Sequence, residues 1–232
     1  MADSNTNPSP PCLSRLAESA YNSPYTRAGA PTPHPNTDPY APLRAQALAT
    51  LESMGYDPLT MVERGVVWAE DQDPFGHVMQ SQYMAYMGVC FHRVMESYAE
   101  FLSDEEYNNM ILAKTVVPVV RKYELDIRRQ VKYPDALIVA YRGDGIEATR
   151  NNGITSIFSL KQQAIVAEVR GNVTYMDVKT GRPVNICKLG GGWLKLFEGF
   201  TKKAENARIL KEIWESKNAK GKGKGSKSGY KI

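Results

Sequence analysis

Asp71, Asp73 and His77 are clustered in the stretch Asp71-Gln72-Asp73-Pro74-Phe75-Gly76-His77-Val78-Met79-Gln80-Ser81-Gln82-Tyr83. Carboxylates and imidazoles are the usual proton-transfer groups of proteins, and a carboxylate can also attack an electrophilic carbonyl without prior deprotonation. The stretch follows a β-type run, Gly65-Val66-Val67-Trp68-Ala69, turns at Gly76, and opens into an apolar-periodic segment. A helix start therefore falls near Met79, Gln80 and Ser81, whose backbone N–H groups have no intrahelical partner. Together with the helix dipole, such groups can stabilise an oxyanion without any special side chain. A plain structural use is open at each position. An Asp before Pro74 suits an Asx-turn, and a His beside a helix start suits a hydrogen-bonding spacer.

The elements that must position these residues are readable from periodicity. Leu43, Ala47, Leu48, Leu51 and Met54 recur at helical spacing, with Pro42 in the first turn and Gly55 as a stop. Tyr83, Met87, Cys90, Phe91, Val94, Tyr98 and Phe101 form one stripe, which predicts a long core-facing helix over 80–101. Ser103-Asp104-Glu105-Glu106 is a capping box for a short helix after it. From Thr115 the period falls to two. Strands are expected over 116–120, 123–127, 137–141, 154–160 and 164–176, the last with Ile165, Val169, Val173 and Tyr175 on one face and Val166 on the other. Tyr133-Pro134-Asp135, Gly143-Asp144-Gly145 and Asn151-Asn152-Gly153 have turn composition. Gly190-Gly191-Gly192 precedes two helical pieces, 193–200 and 201–214, with Thr201 suited to cap the second. A long helix followed by strands with no helices between them implies an α+β fold: an antiparallel sheet wrapped on that helix.

Nine of the 14 prolines lie in residues 1–42, with few aliphatics, so 1–41 reads as a disordered segment and 42–216 as the folded domain. The stretch 217–232 holds six lysines and four glycines. Without those lysines the formal net charge falls from +4 to −2, so the basic character belongs to this tail. It is not a phosphate-binding loop, and nucleic-acid contact is expected only through it. Cys12, Cys90 and Cys187 lack C-x-x-C spacing, which suits reduced thiols in an intracellular compartment, the cytoplasm ahead of the mitochondrion. No apolar run is long enough to span a bilayer. His34, His77 and His92 are far apart, so no metal site is expected.

The order D-x-D-P-x-G-[HI]-V, with Tyr83 ten residues after Asp73, resembles the signature of the hotdog-fold acyl-CoA thioesterases of the 4-hydroxybenzoyl-CoA thioesterase type, over residues 60–186. That resemblance implies the hotdog fold, thioester hydrolysis with Asp73 as nucleophile or base, and the Gln80 N–H at the thioester oxygen. It also implies Gly76, Met79, Ser81 and Tyr83 around the substrate, and an acyl-CoA or acyl-carrier-protein thioester rather than a bound cofactor. A homodimer or homotetramer is expected to close the groove. The Asp73/His77 pair also resembles plant acyl-carrier-protein thioesterases, which carry an Asn where this chain has Phe75. Met79 and Gln80 replace the two Asn of the related G-H-V-N-N loop, which favours the alternative of a non-catalytic hotdog subunit serving assembly or acyl binding. A hotdog hydratase ranks last, because its H-x-D pattern is not evident.

Overall fold

A computed structural model of the protein describes residues 38–222. The segment 1–37, with Cys12 and His34, and residues 223–232 of the basic tail lie outside the described residues. The expectations made for them are therefore not addressed by the structure.

Helix α1 (Ala41–Ser53) starts on Pro42 and buries Ala47 and Leu51. It ends at Gly55, whose φ of +83° suits glycine and whose Cβ, if present, would collide with the Ala207 backbone. A short 3-10 turn (Pro58–Thr60) leads to β1 (Val62–Gly65). The helical turn α2 (Trp68–Asp71) and the Asp73 loop then precede the long helix α3 (Gln80–Ser97). After a 3-10 turn (Tyr98–Glu100) comes α4 (Asp104–Ile111), closed at its start by the Ser103–Glu106 capping box. Strands β2 (Val116–Ile127), β3 (Ala136–Glu147), β4 (Arg150–Ser159) and β5 (Ala164–Asp177) follow, then α5 (Ile186–Leu189) and α6 (Gly191–Lys222).

All strand pairs are antiparallel, in the order β1-β3-β4-β5-β2. On the inner face α3 lays Tyr83, Tyr86 and Cys90 against Leu137, Val139, Ile157 and Ala167. Further along, Val94 and Tyr98 join Tyr175, Trp193 and Phe200. The outer face packs Ala136, Ile138, Ala140 and Phe158 against α1 and Tyr56. This is the expected α+β hotdog architecture, a sheet wrapped on one long helix, here with extra helices at both ends.

Several local expectations are corrected. The run 65–69 is not a strand: β1 lies just before it, and the Val67 N–H is taken by the Asp71 carboxylate, which winds 68–71 into a helical turn. The stretches 116–120 and 123–127 are one strand with an irregularity between Val120 and Lys122. Gly143–Gly145 and Asn151–Gly153 are not turns but lie inside β3 and β4, the former as a bulge. A bulge at Ile157/Phe158 shifts the β5 pattern, so Ile165 packs on the outer face while Val169 faces inward with Val173. The final two helices are one. Thr201 does not cap; its hydroxyl donates to the Phe197 carbonyl one turn back, and the helix continues to Lys222.

Candidate active site

The Asp73 loop is built by its two carboxylates. Asp71 is fully buried, and its Oδ2 accepts from the Val67 N–H at 2.6 Å. Its backbone carbonyl accepts from the Met79 N–H at 2.8 Å, which joins the two ends of the loop. Between them Asp73 Oδ1 accepts from the N–H groups of Phe75 and His77, each at 2.9 Å, and the Asp73 N–H donates to the His77 carbonyl. Gly76, at φ +76°, makes the reversal. The loop thus holds the Asp73 carboxylate by one oxygen, half-exposed at the surface.

His77 shares this loop. Its Nδ1 lies 4.0 Å from Asp73 Oδ1, beyond hydrogen-bonding distance but within Coulombic reach if the ring is protonated. Helix α3 begins immediately afterwards with Met79 as N-cap, and no side chain caps it. The backbone N–H groups of Gln80 and Ser81, both exposed, make no backbone hydrogen bond. Asp73, His77 and an uncapped helix start are therefore brought together. Tyr83 is not: at 1% exposure it lies in the core, its phenol hydrogen-bonded by the Val131 backbone. It fixes α3 against the segment that also receives the Val78 N–H, at the Val131 carbonyl.

Two further groups were not legible in sequence. Arg64 of β1 approaches Asp71 Oδ1 at 4.0 Å and lies over the Tyr86 ring, 5.1 Å from its centroid. Burial, and then the Asp71 charge, push the Tyr86 phenol well above its ordinary pKa. Tyr86 sits three residues after Tyr83 and so looks like ordinary core in sequence; Arg64 belongs to a strand too short to show a pattern.

The second group is an aromatic rim. Phe75 at the loop tip is 81% exposed, Trp68 is 63% exposed, and Tyr133 packs edge-on against Trp68 at 5.7 Å. The Tyr133 N–H donates to Gln72 Oε1, linking the rim to the loop. By contrast, the space between α3 and the sheet, beside Met87, Phe91 and Tyr123, is a cavity of only about 30 Å3, room for about one water. Among the described residues no three His, Cys, Asp or Glu side chains converge to hold a metal ion. No described helix is long and apolar enough to cross a membrane.

The family profile of the thioesterase-like superfamily matches residues 67–189, which include the loop, α3 and the sheet from β2 to β5. No curated protein sequence matches the chain. Among solved structures, a DHNA-CoA thioesterase from Staphylococcus aureus superposes with TM-score 0.50 at 13% identity, covering 60% of this chain and 88% of that one. A hypothetical protein from Staphylococcus aureus, solved in complex with CoA, superposes with TM-score 0.51 at 12% identity, covering 62% and 84%. At these identities the likeness is one of fold.

Proposed function

This chain belongs to the thioesterase-like superfamily, a family of thioester hydrolases, and on that premise we propose that it cleaves an acyl-CoA or acyl-carrier-protein thioester with Asp73. The observation that carries this reading is the pairing of a carboxylate fixed by one oxygen with a helix start whose N–H groups are uncapped. Asp73 Oδ2 is left to attack the thioester carbon or to take a proton from water. The Gln80 N–H, with Ser81 beside it, receives the oxyanion that forms on attack, when the carbonyl π pair moves to oxygen; as that oxyanion collapses back to a carbonyl, the C–S electron pair departs with the thiol. Water supplies the hydroxyl of the released acid and the proton of the thiol. His77 shapes the loop through its backbone, and its ring lies 4.0 Å from the carboxylate without replacing it.

The acyl group belongs outside the core beside Met87 and Phe91, because the space behind α3 there holds about one water. The exposed rim of Phe75, Trp68 and Tyr133 offers apolar surface beside Asp73, and a second copy of the chain would roof it. The outer edge of β2 pairs with no strand among the described residues and is the natural place for that copy to join. The Staphylococcus aureus structure with CoA makes CoA the first carrier to test.

A second reading rests on the same two N–H groups at Asp73 Oδ1: a carboxylate used only to brace the loop, in a non-catalytic acyl-binding subunit. Thiol release by the full chain across acyl-CoA esters of graded length and aromaticity separates the two. Turnover of at least one class is expected. Binding without turnover across the whole panel would establish the second reading.

A further inference from the structure

A concavity of about 690 Å3 opens on the outer face of the sheet, away from the Asp73 loop. Its walls are Thr50 and Met54 of α1 on one side and Lys211 and Trp214 of α6 on the other. Both helices lie outside residues 67–189, the part that matches the family, so this chain's additions to the fold wall a groove whose floor is the family's own sheet.

Its charges do not balance. Five cations, Arg128, Arg129, Arg142, Arg170 and Lys211, meet two carboxylates in the groove, Glu168 and Glu215, and a third beside it, Asp126, which pairs with Arg128 at 3.0 Å. Glu168 is shared by Arg128 at 3.1 Å and Arg170 at 3.2 Å, and Glu215 pairs with Lys211 at 3.6 Å. Among the described residues Arg129 and Arg142 form no ion pair. Arg129 is exposed, but Arg142 is only 5% exposed. One of its nitrogens, Nη1, donates to the Met54 carbonyl at 2.8 Å, and its guanidinium lies 4.8 Å from the centre of the Tyr56 ring. A guanidinium carries five N–H donors, and withdrawing its charge from water without a counter-ion is costly. A buried arginine kept in this condition beside an open, net-positive groove implies an anion supplied from outside. Trp214, Phe158 and Ile165 place apolar and aromatic surface against the same cations.

We propose that this groove binds a nucleoside di- or triphosphate, with its phosphates on Arg129, Arg142 and Lys211 and its base against Trp214. Planar guanidinium groups match phosphate oxygens in pairs, and an indole face accepts a base by stacking. The same groups occur in a free nucleotide and in the nucleotide end of CoA. The site is independent of Asp73 in either case.

Calorimetric titration of the full chain with ADP, 3′-phosphoadenosine 5′-diphosphate, CoA and inorganic pyrophosphate tests it. Nucleotide binding that weakens with added salt is expected. Arg142→Met and Arg129→Ala should each weaken it at least ~10-fold, the lower range for losing a phosphate-paired charge. Trp214→Ala should weaken the nucleotides but not pyrophosphate. Because Arg142→Met removes a buried group, Arg129→Ala, an exposed side chain without an ion-pair partner, keeps the test readable if the former fails to fold. ADP binding as tightly as CoA would identify free nucleotide as the occupant; preference for CoA would identify its nucleotide end. Asp73→Asn should leave every affinity unchanged. The proposal is overturned if wild type binds none of the four at millimolar concentration, or if Arg129→Ala and Trp214→Ala leave nucleotide binding intact.

Discussion

Asp71 and Asp73 are of one type and two residues apart, yet their surroundings give them different work. Asp71 is enclosed, with one oxygen on the Val67 N–H and the other near Arg64. Asp73 is held by two loop N–H groups and reaches solvent. Asp71→Ala should therefore cost about 1–3 kcal/mol, since it strands a backbone donor, and lower the melting temperature by several degrees. Catalysis per folded molecule should change little. Tyr86→Phe tests the group beside Asp71: it removes the phenol that interacts with the Asp71 carboxylate, so melting should fall by a few degrees here too. Cys90 belongs with these structural groups: burial pushes its thiol up to about 12, and thiol-directed alkylation of the folded protein should leave it unmodified as judged by mass spectrometry.

At the scale of elements, Glu106 ties α4 to α6. Its carboxylate accepts from the Ser103 N–H and, 86 residues away, from the Gly192 N–H at 3.0 Å. Burial alone would raise its pKa, but the donors at Ser103 and Gly192 together hold it below the ordinary glutamate value. A carboxyl depressed in the fold stabilises fully above its unfolded pKa, and that contribution drains away as pH falls through the folded value. Glu106→Gln should thus lower the melting temperature at pH 7, and the gap from wild type should narrow toward pH 3. An equal gap at both pH values would contradict the assignment. The capping box itself was readable because its partners are three residues apart, as were the stripe of α3 and the loop around Asp73 and Gly76. Glycines in strands were not. Gly153 and Gly171 face each other across β4 and β5, and the rings of Tyr141 and Tyr123 lie where their Cβ atoms would stand. Their reason is tertiary packing; a local reading places Gly171 in its strand but takes Gly153 for a turn. Gly143 likewise leaves room for Ala204 of α6, a contact 61 residues away. Arg142 looks like any strand arginine until its burial between Met54 and the Tyr56 ring is seen in space.

At the scale of the whole molecule, the fold leaves β2 as an open edge. Val119 and Val120 are exposed there, interspersed with Pro118, Arg121 and Lys122. Among the described residues this edge of twelve residues has no strand partner, which makes it a template for pairing with a second copy. Sedimentation at micromolar concentration should show a dimer or larger species. Val120→Asp should shift it toward monomer and reduce turnover with the same concentration dependence. A clean wild-type monomer that turns over substrate would show the site to be complete in one chain. The most direct test of Asp73 uses the intact protein and its best acyl-CoA substrate. Asp73→Asn keeps the side-chain volume and the oxygen that braces the loop while removing the anion. Turnover should fall at least ~10²-fold, the lower range for losing a positioned acid or base. Acyl-CoA affinity and melting temperature should stay close to wild type. Undiminished turnover by well-folded Asp73→Asn would contradict the assignment.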